Sequence, residues 1–253
     1  MEIIQSFRSN CNGNIQFYDR SDFLFLVDMY DLILPTQIDL LHISAVILLI
    51  ATFGIVVRRG FSDWLHAYRY QTIILAGIVA LIGFITSIWE LYIVSALTLG
   101  IKAIIIPKVL FYVTKKLDSP IKLEMNPYVS LRISVIASAL LVAMSYFMAL
   151  QLPISSDETI SVFLPVSFSL FFIGLFIIIS RRKALSQIVG LLTIENGLFL
   201  FAVVVTHGFS LIIEIGLMAD ILVGVIISSI LLFRMSQTFD SIDIKNLESL
   251  RDD

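Results

Sequence analysis

Three ionisable residues, Lys102, Glu195 and Asp220, stand near the centres of long apolar stretches. A charge at the bilayer centre costs about 2.5–3.5 kcal/mol on insertion scales. Three left charged and unpaired cost roughly 8–10 kcal/mol, comparable to the whole stability of an ordinary domain. Such groups must face protein or water, pair with one another, or be neutral. An amine and two carboxyls held at one depth can exchange protons, so the chemistry expected of them is proton or ion movement inside the membrane. The bland alternative is a set of interhelical hydrogen-bonding groups with no transport role.

Their neighbours suit an interior position. Gly216 and Gly224 flank Asp220 on its own helical face and let another helix approach. Ser95 and Thr98 share a face with Lys102. Pro107 has no N–H for the carbonyl of Ala103, which predicts a kink just past the lysine. Glu195 is followed by Asn196 and Gly197, with Gly190 earlier in the same stretch. Glu214 lies about a turn and a half from Asp220 towards the outside, as an access group or a solvated end residue. Lys108 reads as a snorkelling side chain and Glu90 as an interfacial one. His42, His66 and His207 fall near different helix ends, which does not suit a haem. The serines Ser134, Ser138 and Ser145 read as ordinary packing residues.

The elements that position these groups follow from composition. Of 253 residues, 58% are hydrophobic and 15% charged, with a mean hydropathy of +0.96. Soluble domains carry about 25% charged residues, so a water-soluble fold is excluded in favour of a polytopic membrane protein. A net charge of −3 gives no basic footprint for nucleic acid. Cys11 is the sole cysteine, which rules out an internal disulfide, a multi-thiolate metal site and an iron–sulfur cluster. No cofactor ligands and no signal peptide are evident. The expected fold is an all-α polytopic membrane bundle of about seven spans. These are Ile38–Val57, Gln71–Ile88, Leu91–Val113, Leu131–Ala149, Thr159–Ser180, Ala184–Val205 and Leu211–Phe233.

Charge in the loops sets the orientation. Thirteen of the 17 Lys and Arg fall on alternate loops and the C-terminal end, on one side of the membrane. The opposite side holds only Arg8 and Arg20. The positive-inside rule then puts the N-terminus out and the C-terminus in the cytoplasm, which requires an odd number of spans. Residues 1–37 form an N-terminal extension in which Phe23–Pro35, with Asp28 and Asp31 on one face, is expected to lie on the outer surface. Residues 38–149 hold the first four spans, 150–234 the last three, and 235–253 a cytoplasmic tail. In the tail Ile244, Leu247 and Leu250 have helical spacing, for docking on a partner or for fraying. Each basic pair, Arg58-Arg59 and Arg181-Arg182, is followed by two spans with a short outer turn, a weak internal repeat of the kind transport folds use.

Arg181-Arg182, then Gln187-Ile188-Val189-Gly190, then Ile194-Glu195-Asn196-Gly197 resembles the membrane component E of group 4 [NiFe] hydrogenases, hydrogenase-4 component E. That family is similar to an enlarged K subunit of complex I and to the C subunit of Mrp-type antiporters. The three-helix K-type unit would correspond to spans five to seven. Its first membrane glutamate, in a Gly-Leu-Glu motif, is matched by Thr193-Ile194-Glu195, with threonine in the place of glycine. Its second lies four residues before a glycine. Asp220 before Gly224 resembles it with a shorter acid, while Glu214 keeps the glutamate but not the glycine spacing. The tail from Ile244 to Arg251, and Lys102 with Pro107, also look like component E. Residues 1–37 match nothing in that family.

The resemblance implies a non-redox subunit of a complex I-like assembly in the cytoplasmic membrane, with antiporter-like subunits as partners and no catalytic centre or cofactor of its own. Glu195, Asp220, Lys102 and Glu214 would line a proton or sodium path, with Lys102 as relay or fixed counter-charge. The rival readings are a stand-alone secondary transporter or antiporter and an inert assembly scaffold.

Overall fold

The computed structural model describes residues 20–58, 60–116, 129–152, 158–181, 184–206 and 224, and the side chains of these except 20–36, 61, 113–116 and 184–185. Every described element is a helix: α1 (Arg20–Val57), α2 (Phe61–Thr86), α3 (Glu90–Leu97), a π-helical stretch (Thr98–Ile105), α4 (Ile106–Lys116), α5 (Leu131–Gln151), α6 (Glu158–Ser180) and α7 (Ala184–Thr206). The chain divides into two compact units, Met1–Leu40 and Leu41–Asp253. The first is helical from Arg20; the second holds the bundle.

Six helices among the described residues are long and apolar enough to cross a membrane. They match the first six expected spans, α3, the π stretch and α4 together forming the third. The seventh expected span, Leu211–Phe233, lies outside the described residues apart from the helical Gly224. So do Glu214, Asp220, Gly216, His207, Cys11 and the tail 235–253.

The second span begins ten residues before the expected Gln71, at Phe61. Asp63, His66 and Arg69 mark the stretch as polar in sequence, but all three are exposed, while Trp64, Leu65 and Tyr68 between them are buried. The helix is amphipathic here rather than absent. It ends at Ser87, which adopts the left-handed conformation (φ 58°), and the Ile88 N–H closes on the Gly83 carbonyl. This gives the short turn into α3.

The expected kink in the third span is a change of helix type. From Thr98 to Ile105 the backbone bonds i to i−5, as in the Ile106 N–H to the Ile101 carbonyl. Pro107 stands just beyond. A wider turn beside a residue with no N–H is a recognised way to absorb the missing bond.

Close packing concentrates on α6 and α7. A Cβ on Gly174 would stand 2.7 Å from the Ile194 nitrogen, and one on Gly197 would stand 2.8 Å from the Phe171 nitrogen. Hydrogen at these positions lets the two backbones touch, as membrane helices do at small residues. By contrast α5 buries Ser134, Ser138 and Ser145 on one face and leaves Ile133, Ile136, Leu140, Phe147 and Leu150 exposed on the other. An apolar outer face is what lipid or a membrane partner requires.

The interior is layered. One apolar cluster takes Leu41, Ala45 and Leu48 from α1, Leu75, Val79 and Ile82 from α2, Leu91 and Val94 from α3, and Leu200 and Val204 from α7. A second takes Ile55 and Val56, Leu65 and Tyr68, Ile106 and Leu110, and Val189 and Leu192 from the same spans. On each of these four spans the residues between the two clusters include buried polar ones: Thr52; Gln71 and Thr72; Thr98 and Lys102; Thr193 and Asn196. Four helices thus contribute to one polar layer between two dry ones.

Candidate functional site in the polar layer

The polar layer is centred on an ion pair. Lys102 Nζ lies 2.6 Å from Glu195 Oε1, with the lysine side chain 1% and the glutamate 16% exposed. Lys102 reaches this point from the π stretch and Glu195 from the middle of α7. The ammonium also sits over the Phe199 ring, 4.6 Å from its centroid, a contact that favours a cation in a desolvated place. The second carboxylate oxygen, Glu195 Oε2, has no hydrogen-bond partner among the described residues. Two of the three ionisable residues singled out in the sequence are therefore brought together, and the third, Asp220, lies outside the described residues.

The residue after Glu195 turns to a different helix. Asn196 Nδ2 donates to Gln71 Oε1 at 3.2 Å and to Thr72 Oγ1 at 3.1 Å. Gln71 Nε2 donates in turn to Thr52 Oγ1 at 2.8 Å, which donates to the Leu48 carbonyl. Thr72 donates to the Tyr68 carbonyl. This network ties α1, α2 and α7 together at the depth of the ion pair, and Asn196 is fully buried within it. Ser95 adds a bond from the third span to the Ala76 carbonyl of α2 at 2.8 Å. Thr98, one turn before Lys102, is buried, and its hydroxyl has no partner among the described residues.

Gln71, Thr52 and Tyr68 were not singled out in the sequence. Placing the start of the second span at Gln71 puts that residue at a membrane surface, where a glutamine is unremarked. The helix begins at Phe61, which moves Gln71 to mid-span. The signal that finds it is the burial pattern of Trp64, Leu65 and Tyr68 ahead of it.

Arg181 belongs in sequence to a basic loop run, yet its side chain is buried. Its guanidinium donates to the Val56 carbonyl at the end of α1, 2.9 Å away, and lies 5.3 Å from the Trp64 ring centroid. A cation on a terminal helix carbonyl meets the negative end of the helix dipole. Trp64 Nε1 donates to the Arg58 carbonyl at 2.6 Å, closing the same corner. Lys108 and Arg69 are exposed, as is His42. His66 is also exposed and packs against Phe111. Among the described residues no group of three His, Cys, Asp or Glu could hold a metal ion.

Residues 162–252 match the family described as NADH-ubiquinone/plastoquinone oxidoreductase chain 4L. Over 208 residues the chain is 29% identical to an uncharacterized protein of Mycobacterium tuberculosis, covering 81% of this chain and 93% of that one. Over 186 residues it is 25% identical to hydrogenase-4 component E of Escherichia coli K12, covering 73% of this chain and 84% of that protein. The component E of Shigella flexneri matches equally. No solved structure matches.

Proposed function

We propose, from the premise that the chain belongs to the membrane-subunit family of complex I-like assemblies that includes hydrogenase-4 component E, that Lys102 and Glu195 form the central station of a proton path. Membership makes the chain a multi-pass membrane subunit that works with other subunits. The observation that carries the functional reading is the Lys102–Glu195 pair itself, 2.6 Å apart between two apolar layers. Removing two charges from water is expensive, and a pair of apolar side chains fills such a space at lower cost. A retained pair whose second carboxylate oxygen has no partner among the described residues is suited to changing its protonation.

In this reading a neighbouring subunit alters the field at the pair. The proton leaves or joins Glu195, and Lys102 supplies the counter-charge. Asp220, or Glu214 in its place, is the next acid along the path. Redox energy enters elsewhere, since the reading assigns this chain no cofactor. The partners are antiporter-like membrane subunits, in the cytoplasmic membrane with the N-terminus outside.

The test is ion transport by the intact complex in membrane vesicles with Glu195→Gln and with Asp220→Asn. Glu195→Gln is expected to assemble and to lose at least tenfold in coupled proton movement. Full coupled transport in an assembled Glu195→Gln complex defeats the proposal and favours the scaffold reading. Transport of sodium without protons defeats its ion assignment.

A further inference from the structure

Four buried oxygens in and beside the polar layer have no well-formed hydrogen bond among the described residues: Tyr68 Oη, Thr98 Oγ1, Glu195 Oε2 and Asn196 Oδ1. Buried polar atoms are nearly always satisfied, and water does so where protein does not. Thr98, Glu195 and Asn196 belong to the polar layer, and Tyr68 lies one turn before its Thr72. Asn196 follows Glu195, and Thr98 stands one turn before Lys102 on its face. Tyr68 lies in the field of Glu195 and beside Thr72, whose hydroxyl accepts from Asn196. They are also ordered along the bundle. Thr98 follows the first apolar layer, whereas Tyr68 belongs to the second, together with Trp64, the ring beneath Arg181.

Tyr68 is the informative member. It is fully buried among aliphatic neighbours such as Ile55, Leu65 and Ile106, where a phenylalanine would pack as well. Its hydroxyl lies near the Thr72 hydroxyl but makes no well-formed hydrogen bond among the described residues, so packing alone does not account for it. We propose that Tyr68 is a proton relay: water held among these oxygens joins its phenol to Glu195, and protons cross between the carboxylate and the Arg181 side of the bundle. The phenol gives its proton towards Glu195 while its oxygen takes one from water on the Arg181 side. Tyr68 ends each transfer neutral and unchanged, and one proton has moved from bulk water to the carboxylate. The inference rests on Glu195 being the proton carrier.

The experiment compares Tyr68→Phe, Ser138→Ala and Glu195→Gln in the intact complex. Ser138 is the control, a buried hydroxyl on α5 with no partner among the described residues. Tyr68→Phe is expected to assemble with an unchanged unfolding midpoint and to lose at least tenfold in proton translocation. Hydrogen–deuterium exchange at the Glu195 carboxyl, read by its infrared band and assigned by its absence in Glu195→Gln, should slow at least tenfold. Ser138→Ala should match the unmodified complex in both. Wild-type exchange and translocation in Tyr68→Phe, in a complex that Glu195→Gln disables, overturns the relay alone. A lowered unfolding midpoint in Tyr68→Phe also overturns it, since the hydroxyl is then structural. Full translocation by Glu195→Gln overturns the underlying reading and the relay with it.

Discussion

Lys102 on the π stretch and Glu195 on α7 meet at 2.6 Å, and each is the other's counter-charge in the described interior. Losing one partner leaves an isolated buried charge, which costs about 3–5 kcal/mol. Lys102→Met and Glu195→Leu are each expected to destabilise the chain by that order, read by unfolding in mixed micelles. The double variant is expected to be more stable than either single one, because it leaves no orphaned charge. Losses that simply add would mean the two residues are not coupled.

The α6–α7 seam makes a steric prediction. A methyl group on Gly197 would meet the Phe171 nitrogen and the Ser167 carbonyl at 2.8 Å, and neither backbone atom can move alone. Gly197→Ala is expected to cost about 1–3 kcal/mol by overpacking, and Gly197→Leu to prevent folding. Gly100→Ala is the control, since nothing lies within 4 Å of a Cβ placed there. Thermal unfolding in detergent separates the two positions, and equal effects at Gly100 and Gly197 would contradict the packing described.

Much of this arrangement is legible in the sequence, and the gaps have physical causes. Long apolar runs give the helices, because a lipid environment forces every backbone group to be satisfied within its own segment. Lys102 and Glu195 stand out because charge is costly at mid-span. Their pairing is a tertiary fact, and spacing along one chain does not carry it. Gln71 and Tyr68 were hidden by the exposed Asp63, His66 and Arg69, whose charges imitate a loop on an amphipathic helix. Arg181 was hidden by its neighbours Arg182 and Lys183, since composition does not say which member of a basic run turns inward. Pro107 announced an irregularity but not its form, because a kink and a π turn both relieve the same missing N–H.

The Asn196 network makes a prediction of modest size. Its amide joins α7 to Gln71 and Thr72 on α2. Interhelical hydrogen bonds in membranes average about 0.6 kcal/mol and reach about 1.7 kcal/mol. Asn196→Ala, which also empties a fully packed site, is expected to lose about 1–3 kcal/mol. Gln71→Ala should lose less when made on top of Asn196→Ala than when made alone, as shared bonds dictate. A double-mutant cycle in mixed micelles measures that coupling, and a value of zero would mean the network carries no energy.

Arg181 gives a prediction with a spectroscopic reading. The protein has two tryptophans, Trp64 at 4% exposure and Trp89 at 65%. Trp64 packs against the Arg181 guanidinium, which also caps α1 through the Val56 carbonyl. Arg181→Met keeps the length and apolar stem of the side chain but removes the cation and its donors. In a Trp89→Phe background the emission is that of Trp64 alone. Arg181→Met is expected to shift this emission and to lower the unfolding free energy by about 1–3 kcal/mol. Arg181→Lys should recover little of either, because an ammonium lacks the planar fork that lets one group both stack on a ring and reach a carbonyl. Emission and stability unchanged in Arg181→Met would place the guanidinium away from Trp64 and return Arg181 to the solvated loop its neighbours suggest.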